Sequence, residues 1–564
     1  MSSTVTTKFG FPKKYQVKSV EQFSLFDYLC DVNSAIEPKS VEAYFEIPQN
    51  KKYNFCFEGY SIEKYVKDVG KYGLEELWIG ILQYALINNE NKFLTPDNFG
   101  SLYELGLAEQ NKHSKKKCGQ YFTPEDVCNL MARWLVNLKG DNVCDVGCGT
   151  GNLILAYLKQ IGQIEAKRLL AEKKIYLYDY DKLALKIAQY SIVLTYGKEY
   201  LNSINLILGD FLDNAVKLPS NAKVISNPPY AKIVQLQNSW KKTDNLVDSK
   251  DYYSAFIEKI AVSGSRAVII SPYSFLGGSK FYSLRKVLNN YNGFIVAFDN
   301  VPGNIFNGRK HGVFNTNMAN SVRAAITVIE NHNNCKGFKT TPLIRFRTEE
   351  RKKLINSDYL ETLLSENSQI ISLQKPCYIK CHKELENVFE TWIGQSNNRF
   401  FNLLSKTQNN FVLHIPNTCR YFTTAATTKL NRTGVITLYA KDKESYDFLY
   451  CLINSSFAYW YWRIFDGGIT YPVGLLNDIP VFENLLSVDD KKFFFETRKK
   501  MSLLEKQYIV TKLNAGVEQE NVKFPSLFRK EINARFLKIL DCKESPDLFN
   551  LVHSNTVFSS VEEE

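Results

Sequence analysis

Short apolar runs and longer amphipathic stretches take turns along the middle of the chain. Asn142–Val146, Ile175–Tyr178, Ile204–Leu208, Val224–Ser226, Arg266–Ser274 and Ala324–Ile329 are brief, apolar and bounded by turn residues. That is the pattern of strands buried on both faces. Between them run stretches with helical spacing, among them Leu153–Gln160, residues 182–196 (KLALKIAQYSIVLTY) and Phe281–Leu288. Strand and helix in alternation predict an α/β architecture: a Rossmann-like, doubly wound sheet with ligands at the C-terminal ends of its strands.

The flanks read differently. Residues 1–115 are expected to be mostly helical, and in Leu74–Asn88 the residues Leu77, Ile81, Leu82 and Ala85 form one apolar stripe. A further helix carries Val127, Leu130, Met131, Trp134 and Leu135 on one face. Thr123 reads as its N-cap, Pro124 as its first residue and Asp126 as a close-spaced capping acid. Beyond about residue 335 the alternation is lost. Thr418–Thr423 and Gly434–Tyr439 read as strands, Tyr446–Phe465 as one aromatic helix, and Lys491–Gln507 with Phe524–Leu540 as a helical pair. An aromatic stripe at helical spacing is expected to be core rather than a stacking surface.

Composition changes this picture only a little. At 564 residues the chain has room for two or three domains. Its 45% hydrophobic and 23% charged residues are ordinary for a globular protein. A net charge of +11 fits a polyanionic partner without requiring one. The run Lys112–Lys117 is either a solvated linker or a phosphate contact. The 12 cysteines form no dense framework, and Cys377 and Cys381, with His382, lack a second ligand pair at zinc spacing. Reduced thiols, no metal and a cytoplasmic setting are therefore expected. The N-terminus is too polar for a signal peptide, and no apolar run reaches about 18 residues, so no membrane span is expected.

The candidate chemistry sits at the strand ends. Asn142–Val146 enters a glycine loop, Gly147-Cys148-Gly149-Thr150-Gly151. Glycines let the backbone approach a ligand closely. The spacing is neither a P-loop nor a full dinucleotide fingerprint. Asp145 is placed to receive an ammonium, which favours an amino-acid-bearing cofactor over a pyrophosphate. Asp179 ends the second strand, where an acid commonly accepts ribose hydroxyls. Asp210 ends the third, a candidate acceptor for an adenine amine, with Phe211 flanking the ring. The fourth ends in Asn227-Pro228-Pro229-Tyr230. Its prolines stop the sheet ladder and fix a rigid turn. The Asn227 side-chain carbonyl, the Pro228 main-chain carbonyl and the Tyr230 ring then suit a planar ring with an exocyclic amine. Alone, this segment is equally an ordinary turn, and single terminal aspartates are often only caps. The four elements in this order carry the reading.

The ensemble resembles the S-adenosylmethionine-dependent adenine-N6 DNA methyltransferases of restriction–modification systems, in which a target-recognition domain follows the catalytic domain. Gly119-x-x-Phe122-Thr123-Pro124 resembles their N-terminal cofactor motif, Asp145–Gly151 their glycine motif and Asn227–Tyr230 their catalytic motif. The resemblance implies that Tyr121, Phe122, Thr123, Pro124, Asp145, Gly147, Gly149, Asp179, Asp210 and Phe211 hold S-adenosylmethionine. It implies that Asn227, Pro228, Pro229 and Tyr230 are catalytic, and that Tyr230 and Phe306 stack on a base flipped out of double-stranded DNA. Phe314 is the alternative to Phe306, because Gly308–Ser321 is longer than the family pattern. Asp251–Phe256 resembles the family's helix that helps seat cofactor and target. The implied organisation is a helical region 1–115, a methyltransferase catalytic domain 116–333, and an α+β target-recognition domain with C-terminal helices 334–564. The implied partners are double-stranded DNA and a cognate restriction endonuclease. Asn in the first motif position favours adenine over cytosine N4. Two alternatives stay open: a modification subunit of a multisubunit restriction complex, and a methyltransferase acting on RNA or protein.

Overall fold

The computed structural model describes residues 55–87, 93–110, 123–306, 322–330, 337–366, 377–514, 516–542 and 547–558. Three helices come first: α1 (Ile62–Tyr72), α2 (Leu74–Ile87) and α3 (Pro96–Gln110). The Trp78 indole donates to the Tyr65 hydroxyl (3.1 Å), which donates to the Leu102 carbonyl (2.6 Å), so one buried chain of bonds joins all three. Tyr103 donates to Asp181 (2.5 Å) and docks α3 on the sheet region that follows.

That region holds β1 (Asn142–Val146), β2 (Ile175–Asp179), β3 (Ile204–Leu208), β4 (Ala222–Ser226), β5 (Arg266–Pro272), β6 (Asn292–Phe298), β7 (Ala324–Ile329) and β8 (Gly337–Thr340). They form one sheet in the order β3-β2-β1-β4-β5-β7-β6-β8. Strands β1 to β5 pair in parallel, and β7 inserts antiparallel between β5 and β6. The eighth strand lies past residue 333 and pairs with β6 in parallel. Side chains alternate between two cores: Val268 and Ile270 face one, Ala267 and Ile269 the other. Helices α4 (Glu125–Val136), α5 (Asn152–Ile161), α6 (Gln163–Ala171) and α7 (Lys182–Tyr196) fill the first core. Helices α8 (Asp244–Ser249), α9 (Tyr252–Val262) and α10 (Tyr282–Leu288) fill the second. The first core also takes in α11 (Arg351–Asn356) and α12 (Tyr359–Glu366). The strand order reverses between β1 and β4, the switch point at which doubly wound sheets open a crevice for ligands.

The C-terminal part has its own core. Helix α13 (Glu386–Gln395) stacks Trp392 on Trp460, with ring centres 5.9 Å apart. Trp460 lies in an aromatic stretch that is indeed buried, but it is two helices, α14 (Lys443–Asn454) and α15 (Ser456–Phe465), rather than one. Ser455 breaks them: its backbone is extended, and its hydroxyl donates to Leu452 O and accepts from Phe457 N–H. A serine that bonds its own backbone stops one helix and caps the next. Gly434–Tyr439 contains a strand, Val435–Tyr439, paired with Val412–Pro416. Thr418–Thr423 is not a strand, contrary to its pattern; Thr418 makes only an isolated bridge to Thr470. Among the described residues no helix is long and apolar enough to cross a membrane.

Candidate active site

The first four parallel strands bring their C-terminal ends, and the loops that follow, to one side of the sheet. Backbone geometry builds the glycine loop. Gly147, Gly149 and Gly151 have φ of 68°, 50° and 84°, the left-handed region. At Gly151 a Cβ would stand 2.9 Å from Ala188 Cβ, so this glycine is also required by packing. At Gly147 a Cβ would stand 3.7 Å from the Asn227 carbonyl oxygen and 3.8 Å from the Phe256 ring. The glycine loop and the main chain of Asn227 therefore lie side by side, and at Gly147 it is the left-handed φ, not a lack of space, that favours glycine.

Asp145 is fully buried behind that loop. One carboxylate oxygen accepts from Ile154 N–H (3.0 Å) in the first turn of α5; the other has no hydrogen-bond partner among the described residues. Burial pushes its carboxyl up to about 8. Asp179 accepts from Gly149 N–H (2.7 Å) and Asp181 N–H (2.9 Å), which fixes the loop to the end of β2. Its carboxyl is pushed up to about 6, again chiefly by burial. Asp210 accepts from Leu212 N–H and from the Trp240 indole, both at 2.9 Å. A carboxylate has about four acceptor positions, so both acids keep capacity for ligand hydroxyl or amine groups. Phe211 is buried, edge-on to Tyr178 and tilted against Phe256 at 5.0 Å. These acids, the glycine loop and the orphaned oxygen of Asp145 fit an adenosyl amino acid with a free ammonium.

Asn227 follows β4 directly, and Ser226 before it donates to the Val146 carbonyl (2.6 Å), locking the ends of β4 and β1 together. The Asn227 amide donates to the Thr123 hydroxyl (3.0 Å). This corrects the expected capping of α4. Its N-cap is Pro124, whose position makes no side-chain cap bond, and the helix starts at Glu125. The Thr123 hydroxyl has turned to Asn227 instead. Asp126 does not close a capping box either; it accepts from the next residue's N–H and pairs with Arg351. Pro228 is buried and Pro229 half-buried. The Tyr230 hydroxyl donates to Ile270 O (3.3 Å), and its ring lies edge-on to Phe306, 6.0 Å between centres, and to Tyr253, 6.4 Å. The two expected stacking rings thus stand side by side. Tyr121, Phe122, Phe314 and the lysine run lie outside the described residues.

Residues 94–371 match the model of the N-6 DNA Methylase family. This segment is similar to the N-6 DNA methylases. A methylase subunit of the type I restriction enzyme MpnII of Mycoplasma pneumoniae is 25% identical over 245 residues, which cover 37% of this chain and 42% of that protein. The chain therefore spans less than half the length of that curated relative. Among solved structures, the type ISP restriction-modification enzyme LlaBIII bound to DNA aligns over 88% of this chain and 46% of that one, with 12% identity and a TM-score of 0.45. The EcoKI M protein, from a type I restriction enzyme, aligns over 59% and 68%, with 15% identity and a TM-score of 0.30.

The sequence contains no signal for two groups in the matched segment. Ser226 reads as one more strand residue, and Arg351 is 225 positions from the carboxylate that it grips.

Proposed function

We propose that the chain transfers a methyl group from S-adenosylmethionine to adenine N6 in double-stranded DNA, with the base flipped out, as the modification activity of a restriction–modification system. The observation that carries this is the Asn227 amide, held by Thr123 at the end of β4, with the Asn227 main chain against Gly147 and Tyr230, three residues on, edge-on to Phe306.

The cofactor supplies an electrophilic methyl group. Asp145, Gly147, Gly149, Asp179, Asp210 and Phe211 are the residues that hold it, together with Thr123 and Pro124. The N6 amine is a weak nucleophile because its lone pair is delocalised into the ring. The Asn227 carbonyl and the Pro228 main-chain carbonyl accept its two N–H bonds and favour a pyramidal nitrogen. With the amide nitrogen turned toward Thr123, the Asn227 oxygen lies on the opposite side of the carboxamide. Orientation and fixed dipoles do this work without a general base: the nitrogen takes the methyl group as that group's bond to sulfur breaks, and the nitrogen's extra proton then passes to water. Tyr230 and Phe306 offer ring surface to the displaced base, offsetting part of the few kcal/mol that unstacking costs. The net charge of +11 suits a phosphate-lined partner.

Purified chain, labelled S-adenosylmethionine and unmethylated genomic DNA, with RNA and protein extract alongside, test this. The expected product is N6-methyladenine in DNA, reduced by about 10²-fold or more in N227A. Label confined to RNA or protein overturns the substrate. The type I methylase subunit among its relatives favours a second reading, in which the chain acts as a subunit. On that reading label appears in DNA only after a specificity partner is added.

A further inference from the structure

We propose that Arg351 is a positioning residue that couples the Phe306 wall to Asn227, the group that orients the target amine. The proposal rests on the reading of Phe306 as a ring that meets the displaced base. Arg351 opens α11 and is buried. Its Nε and one terminal nitrogen donate to the two carboxylate oxygens of Asp126, at 2.6 and 2.9 Å. Its terminal nitrogens also donate to the main-chain carbonyls of Asn304 (2.8 Å) and Ile305 (2.7 Å), the two residues before Phe306. Only a planar, five-donor guanidinium makes this pattern; an ammonium cannot fork across a carboxylate and still reach two carbonyls.

Both ends of the clamp lead to the pocket. Asp126 lies in the first turn of α4, three residues past Thr123, and Thr123 accepts the Asn227 amide. On the other side, Asn304 accepts from Phe306 N–H (2.8 Å), and the Phe306 ring packs on Tyr230. Arg351, Asp126, Thr123, Asn227, Tyr230 and Phe306 thus form a closed circuit around the place where the target amine has to sit. The circuit fixes the distance between the group that orients the amine and the ring that holds the base.

The test uses the full-length protein and an oligonucleotide with 2-aminopurine at the target adenine of the site mapped by sequencing. Its fluorescence reports unstacking, and calorimetry with S-adenosylmethionine reports the cofactor site. R351K is expected to lower both the flipping signal and kcat by about 10²-fold, the scale of an ångström-size misplacement, while cofactor affinity stays at the wild-type value. F306A lowers the signal as well, and R351K added to F306A lowers it no further, because the arginine acts through the ring. Losses that multiply in the double variant overturn the coupling, and so does an R351K signal equal to wild type. If R351K does not fold, D126N, which keeps the side-chain shape, must show the same pattern in weaker form; wild-type flipping in D126N overturns the proposal. A wild-type signal in F306A refutes the role of Phe306 itself, and the role of Arg351 with it.

Discussion

Replacing Thr123 with valine keeps its shape and removes the oxygen that accepts the Asn227 amide. One neutral hydrogen bond contributes about 0.5–1.5 kcal/mol, so T123V should lower kcat by roughly two- to tenfold while T123S restores it. Equal rates for T123V and wild type would show that Asn227 is oriented by other groups. Asp145 carries a second expectation at this scale. Its folded carboxyl, pushed up to about 8, lies far above the ordinary carboxylate value of about 3.9. The group is therefore mostly protonated at neutral pH, and the stability it contributes is lost as pH rises from the carboxylate range through about 8. A bound ammonium favours the ionised form, so cofactor binding should release a proton and tighten as pH rises toward 8. Calorimetry in two buffers of different ionisation enthalpy measures that proton. D145N should abolish both the proton and the pH slope, and if wild type releases none, the ammonium is held elsewhere.

At the scale of elements, the strand ends bring the candidate residues together. Ser226 holds β4 against β1 through the Val146 carbonyl, and both side chain and acceptor are buried. S226A leaves that carbonyl short of a donor, which should cost about 1–3 kcal/mol in urea unfolding and also lower kcat, because Asn227 is the next residue. A stability loss with unchanged kcat would separate the strand lock from catalysis. The strands themselves were legible because apolar runs between turn residues need no tertiary knowledge. Ile204–Leu208 and Ala324–Ile329 occur with those bounds, and so does helix 182–196. Asn292–Phe298 went unread, since it opens on Asn292-Gly293, a turn pair, and leaves an apolar run of only Phe294–Phe298. Thr123 was misleading as a cap: a hydroxyl can bond the helix that follows it or a distant amide, and only the fold brings Asn227 within reach. The break at Ser455 failed to register for a similar reason, because an aromatic run conceals a serine whose hydroxyl competes with the helix. Arg351 was invisible, as its partners come from the first turn of α4, 225 positions away, and from the segment just before Phe306, 46 and 47 positions away.

Over the whole described chain, one buried carboxylate joins the sheet to the C-terminal part. Asp299 follows β6 and accepts from Arg323 (2.8 Å), Arg345 (2.9 Å) and Arg463 (3.0 Å). Arg463 belongs to α15 and also donates to Leu343 O; Arg345 also donates to the Tyr459 hydroxyl (2.6 Å) on the same helix. Burial alone would raise the Asp299 carboxyl, but the three guanidiniums outweigh it and hold it down at about 2. Its folded value is thus below the unfolded one, so its contribution is present above about pH 4 and is lost as pH falls through about 2. D299N keeps the shape and leaves three guanidiniums without their anion, which should destabilise the protein by about 3–5 kcal/mol. The same substitution should flatten the acid limb of the stability curve between about pH 4 and 2, since the group that titrates there is gone. Because the cluster bonds α15 to the strand end next to β7, the loss should also loosen the C-terminal helices from the sheet. Protease cleavage between the two parts is then expected to accelerate in D299N under native conditions. If D299N unfolds at the wild-type urea midpoint and is cleaved at the wild-type rate, the sheet and the C-terminal core are held together by apolar packing, and the charge cluster sets only their register.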